Sequence, residues 1–173
     1  LAELLHAAPT PCTVEIVGTV MEEYNARGAM LAQRTAHADL AICLLGPGAG
    51  DTPDLKGSNL VRLGQGIGVN LFNFHGKGTL NGNIAHAGLF KALRAASESA
   101  GIPIQRQAAR GALSDTAYLQ LEGGGVPCLD MGTPDRYSHS PMEVLDLKDL
   151  ARCAPLVYAL LRGIQKGFSL DRF

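Results

Sequence analysis

"VEIVGTVMEEYNARGAM" (residues 14–30) decides how the rest of the chain is read. Val14 to Met21 is a near-continuous apolar run rich in valine, the pattern of a strand covered on both faces. Two adjacent glutamates, Glu22 and Glu23, stand at its end, and "ARGAMLAQRTA" (residues 26–36) has a helical pattern. Open α/β sheets place their sites beyond the carboxyl ends of strands, which is where this pair falls. On the residues alone two readings stay open. Acids near a helix N-terminus are favoured by its dipole, and Glu23 can pair with Arg27 four residues on. Alternatively, one carboxylate binds a divalent cation while its neighbour takes a proton from an attacking water, the cation offsetting the repulsion between them.

The same alternation continues outward. "LAICLL" (residues 40–45) reads as a second fully apolar strand, and "GPGAGDTPD" (46–54) as a loop. "LVRLGQGIGVNLFNF" (60–74) reads as one or two strands, bent at Gly64, Gly66 and Gly68. A helix over residues 83–101 ends at Gly101, "IQRQAA" (104–109) is a strand, and Ser114 caps a helix over "DTAYLQLE". "VPCLDMG" (126–132) is a short strand, and Asp146 opens the last helix with Asp149 in its first turn. Pro155 predicts a kink in that helix. The expected fold is an α/β three-layer sandwich around a largely parallel mixed sheet.

Composition bounds the function. With 173 residues, 46% of them hydrophobic, 18% charged and a net charge of -1, the chain can bury a core and carries no basic surplus for nucleic acid. No apolar stretch is long enough to span a membrane, and no signal peptide is visible. Cys12, Cys43, Cys128 and Cys153 form no close pair, so free thiols of a cytoplasmic protein explain them better than a zinc-thiolate site. "LAELLHAAP" (1–9) has helical spacing from Leu1 without a cap, as though a helix were already under way. The chain is accordingly expected to be the C-terminal part of a longer protein.

"RYSHSPMEVLDL" (136–147) holds a second candidate. His139 lies in a loop after a strand, on the side where the glutamates emerge, and imidazole with carboxylate suits zinc, cobalt or manganese. A surface histidine is the plainer reading of His139 by itself. "GPGAGDT" has Asp51 where a phosphate loop needs lysine, and "GQGIG" lacks dinucleotide spacing. His37, His75 and His86 form no close pair.

Taken together, "VEIVGTVMEEYNARGAM", "AGDTPDLKG", "NFHGKGTLNG", "GALSDTAYLQLEGGGVP" and "RYSHSPMEVLDLKDL" resemble, in order and spacing, the tetrahedral-aminopeptidase family of dinuclear metallopeptidases. The chain looks closest to the Frv-type branch, whose members are also labelled glutamyl aminopeptidase, endoglucanase or cellulase M. The resemblance implies a zinc-peptidase-like fold that is incomplete at the N-terminus. It implies an aminopeptidase with two divalent metal ions, a peptide substrate and a homo-oligomer, a dodecamer in the family. Glu22 falls at the general base, and Glu23 and His139 at ligands of the second metal. Two departures count against this site. Leu45 stands where the family has an aspartate ligand, with Asp51 as a possible substitute, and a histidine ligand and the bridging aspartate belong upstream of Leu1.

This chain alone is therefore expected to be inactive, its two ligands being too few to hold a catalytic metal. The alternative is a non-catalytic relative that serves assembly or binding. A glucan hydrolase fits less well, because adjacent glutamates beside a histidine do not resemble two carboxylates across a sugar bond.

Overall fold

The computed structural model describes residues 1–55 and 59–170. Part of the quoted "AGDTPDLKG" motif lies outside them. In chain order the elements are α1 (Ala2–Ala7), a 3-10 turn (Glu22–Tyr24), α2 (Arg27–Ala36), β1 (Ala41–Leu44) and a second 3-10 turn (Pro53–Leu55). There follow β2 (Ile67–Phe74), β3 (Gly82–Ile84), α3 (Ala87–Ala100), β4 (Ile104–Arg110), α4 (Thr116–Leu119) and β5 (Cys128–Gly132). A small ribbon of β6 (Asp135–Arg136) and β7 (Val144–Leu145) leads into α5 (Leu147–Gly163).

The eight-residue β2 organises the sheet. β4 runs parallel along one of its edges from Ile67 to Phe74. β5 and then β3 pair antiparallel along the other, at residues 68–70 and 72–73. β1 adds in parallel outside β5. The sheet is thus mixed as expected, and most of its paired residues are in the parallel ladders β1–β5 and β2–β4. The short link from β2 to β3 is a hairpin, which can only join antiparallel strands.

Side-chain alternation along β5 sorts the two faces. Leu129 and Met131 join Ile67 and Val69 of β2 under α3 (Leu89, Leu93) and α5 (Leu156, Leu160) in one buried apolar core. Asp130, between them, faces the other way, towards Ser114, Thr116 and Asn73. One interface of the sandwich is therefore apolar and the other is a buried polar network.

Two sequence expectations change. Residues 14–21 enter no β-ladder among the described residues, and the apolar run is open to solvent, with Ile16 60% and Val20 66% exposed. Apolar composition says that a segment favours cover, but not which element supplies it. Asp149 is also more than a first-turn acid. It is fully buried and accepts the backbone N–H groups of Gly64 (2.7 Å) and Gly66 (2.9 Å), holding the bend before β2. Gly66 has φ +108, and a side chain there would meet the carbonyl of Pro103. Asp146 caps α5 as expected, accepting from Lys148 N at 2.7 Å, and the helix continues through Pro155. Among the described residues no helix is long and apolar enough to cross a membrane.

The loop after β1 is tied to β6 by a two-pronged ion pair, Arg136 Nε to Asp51 Oδ1 (2.6 Å) and Nη2 to Oδ2 (2.7 Å), and Leu63 N adds a third donor at 3.0 Å. The Arg136 guanidinium, opposed by burial and helped by the Leu63 amide, holds the Asp51 carboxyl down to about 2 from its ordinary 3.8.

Asp149→Ala leaves the buried Gly66 amide and the half-buried Gly64 amide without an acceptor and should cost about 3 kcal/mol in urea denaturation, and a loss under 1 kcal/mol would show that water replaces the carboxylate. A depressed carboxyl contributes stability that is complete above its unfolded value and lost as pH falls through its folded one. The deficit of Arg136→Met relative to wild type should therefore be constant above about pH 4 and close between about pH 4 and 2. A deficit unchanged across that window would contradict the assignment.

Candidate active site

The two glutamates lie on a tight turn held by its own backbone. Ala26 N donates to Glu22 O (2.9 Å) and Gly28 N to Val20 O (3.0 Å), so the chain reverses between the apolar run and α2. Met21 (φ 58), Asn25 (φ 64) and Ala26 (φ 53) are all left-handed. Asparagine tolerates that region, whereas methionine and alanine pay roughly 1 kcal/mol each for it. The reversal sends the two carboxylates to different surroundings.

Glu22 is half-buried and Glu23 is open, its side chain 71% exposed. Burial pushes the Glu22 carboxyl upward, with Glu23, Asp115 and Asp130 adding to the shift and His139 opposing it. A carboxyl raised in this way accepts a proton more readily than an ordinary glutamate, which suits acid–base work. Glu23 Oε1 faces His139 Nε2 at 3.6 Å.

His139 is presented by the loop that joins β6 to β7, the ribbon that follows β5. Tyr137 (φ 62) and His139 (φ 61) are left-handed, and Ser140 N returns to Tyr137 O at 3.1 Å. The His139 amide donates to Glu143 Oε1 at 2.6 Å, so the loop braces its own histidine. Three residues chosen from sequence therefore meet in space.

A carboxylate oxygen and an imidazole nitrogen in this arrangement are donors of the kind that zinc, cobalt or manganese take. They are two, and catalytic zinc sites use three protein groups. Among the described residues no set of three histidine, cysteine, aspartate or glutamate side chains is placed to hold a metal ion. Leu45 is partly buried, its amide donating to Met131 O at 3.1 Å, and its side chain carries no donor atom. Asp51 does not replace it. Both its oxygens are engaged by Arg136 and the Leu63 amide, so the substitution considered from sequence is corrected to a structural ion pair. The donors present fit part of a metal site and do not complete one.

Other sequence candidates are placed elsewhere. His37 terminates α2, His75 Nδ1 accepts from the Gly78 amide (2.9 Å) in the β2–β3 turn, and His86 precedes α3. The four cysteines are free thiols, and burial pushes Cys128 up to about 12. Sequence reading missed the acids behind the glutamates. Asp130 is fully buried, accepts from Thr116 Oγ1 (2.7 Å) and Ser114 Oγ (2.8 Å), and is pushed up to about 6 by burial against those bonds. A lone charge within the apolar "VPCLDMG" was the available signal. Asp115, also buried, accepts from Thr19 Oγ1 at 2.8 Å.

Comparison with known proteins bears on the family and the fold. The family described as M42 glutamyl aminopeptidase matches residues 1–156. The Escherichia coli (strain K12) protein SgcX, whose name assigns it to the aminopeptidases, is 39% identical over 160 residues, covering 92% of this chain and 43% of that protein. A solved aminopeptidase from the archaeon Desulfurococcus kamchatkensis superposes with a TM-score of 0.80 at 29% identity, covering 87% of this chain and 41% of its own. The TET1 peptidase of Pyrococcus horikoshii, described as assembling into a tetrahedron or a large octahedral shell, gives 0.66 at 25% identity over 83% and 39%. The chain spans less than half the length of these relatives. Match, motifs and fold coincide, and the chain belongs to the M42 glutamyl aminopeptidase family.

Proposed function

We infer that this chain is part of a metal-dependent aminopeptidase, C-terminal by the order of its motifs, that removes N-terminal residues from peptides. The observation that carries the reading is the meeting of Glu23 and His139 at 3.6 Å, with Glu22, its carboxyl pushed upward by burial, beside them. In this reading Glu23 and His139 hold one divalent cation, zinc, cobalt or manganese, and groups outside this chain complete the pair of metals. A bound cation would supply Lewis acidity, polarising the peptide carbonyl and making water a nucleophile near neutral pH. Glu22 takes the proton from the attacking water at its carboxylate and returns it to the departing amine. Its half-buried position suits both transfers, because burial pushes the carboxyl upward and makes it a better proton acceptor than an exposed glutamate. A homo-oligomer belongs to the same proposal, supported by the assembling TET1 neighbour.

Leu45 favours a second reading, in which the chain is a non-catalytic relative serving assembly or binding. With Asp51 closed by Arg136, the carboxylate considered from sequence does not replace Leu45, and among the described residues no three ligand side chains are placed to hold a metal ion. The two readings differ in what the Glu23–His139 pair retains.

Titration of the chain with cobalt should reveal one weak site, weakened at least about tenfold in Glu23→Ala with His139→Ala, since each lost ligand removes a donor bond. Absence of any cobalt binding would leave the non-catalytic reading. The chain by itself should release no nitroaniline from aminoacyl-nitroanilides, and hydrolysis that vanishes in Glu22→Gln would mean that its own residues complete the site. In the full-length enzyme, Glu22→Gln should lower turnover by about 10²- to 10⁴-fold with metal content unchanged.

A further inference from the structure

The glutamate turn is strained and poorly supported from outside. Met21, Asn25 and Ala26 hold left-handed backbone without glycine, and such residues persist only where their surroundings over-determine them. The segment leading in, residues 14–20, joins no β-ladder among the described residues, so no strand pairing positions it. Something else must keep the turn in place.

Two side-chain hydrogen bonds reach it from α4 and the residue just before that helix. Asp115, the residue that caps α4, accepts from Thr19 Oγ1 at 2.8 Å. Tyr118, one turn further, donates its hydroxyl to Asn25 Oδ1 at 2.7 Å. Thr19 lies three residues before Glu22 and Asn25 three after, so the two bonds grip the turn on either side of the carboxylate. We propose that Asp115 and Tyr118 are positioning residues that clamp the glutamate turn through Thr19 and Asn25.

α4 is suited to the task because it is rooted in the sheet. Ser114 and Thr116, on either side of Asp115, donate their hydroxyls to Asp130 at the centre of β5. Gln120 Nε2, at the end of α4, donates to the Gly82 carbonyl of β3 at 2.5 Å. The Arg34–Glu122 ion pair between α2 and the turn after α4 is a weaker tie, because Arg34 is largely exposed and such pairs contribute little. Asp115 itself is a buried acid, and its Oδ1 has no hydrogen-bond partner among the described residues. A buried carboxylate with half its acceptor capacity unused is a poor device for stability alone. Holding Thr19 gives it a use.

The clamp rests on geometry, and only its description as serving catalysis rests on the aminopeptidase reading. The test is hydrogen exchange by mass spectrometry on the full chain, with Thr19→Val, Tyr118→Phe and both together. These remove one hydroxyl each and spare the buried Asp115, whose replacement could unfold the protein. Amides of residues 20–28 should exchange roughly tenfold faster in each single variant and more in the double, while β2 and α3 stay within about twofold. Thr19→Ser, which keeps the hydroxyl, should restore the wild-type rate. Unchanged exchange at the turn would overturn the clamp, as would equal acceleration in β2 and α3, which marks general destabilisation. Cobalt titration of wild type separates the two ideas: no binding defeats the aminopeptidase reading while the exchange result still decides the clamp.

Discussion

A buried carboxylate at the centre of β5 connects the parts of this protein that matter for its site. Asp130 lies between the apolar side chains of Leu129 and Met131 and points out of the core. It accepts from Asn73 of β2 (2.5 Å), from Ser114 and from Thr116. Three donors, one on β2, one on α4 and one just before α4, therefore converge on one residue. An acceptor buried without them would be costly, so the sheet and α4 are bound to each other by the need to satisfy it. The same need makes the network intolerant of partial change, because a half-satisfied buried network is worse than an apolar one.

From that anchor the organisation runs outward to the surface. α4 carries Asp115 and Tyr118 to the turn of Glu22 and Glu23, and β5 continues beyond its carboxyl end into the loop of His139. Both arms start from one rigid strand and meet where Glu23 faces His139. The apolar layer of α3 and α5 on the opposite face stabilises the sheet and takes no direct part in the site. The candidate site and the apolar core thus lie on different faces of one sheet, separated by the alternation of side chains along β5 and β2.

The departures from a complete metal site are local and chemical. Leu45 has no donor atom, and the nearby carboxylate that sequence suggested, Asp51, is committed to Arg136. An arginine fork engages both oxygens of a carboxylate, leaving it poorly available to a cation. Membership of the M42 glutamyl aminopeptidase family and a partial ligand set coexist here, in a chain shorter than half its relatives.

Much was legible from residues alone. Glu22, Glu23 and His139 stand in motifs dense enough to single out, and the helices of "ARGAMLAQRTA" and the Asp146 cap follow from local rules of periodicity and capping. Those rules act over a few residues, so a sequence contains what they need. Partner choice was decided by the fold. Whether Val14–Met21 found a neighbouring strand, whether Asp51 met a cation or an arginine, and whether Asp149 faced solvent or two glycine amides depended on chain segments far away. Hydrogen bonds and ion pairs act at about 3 Å, and only the folded chain sets which distant groups come that close.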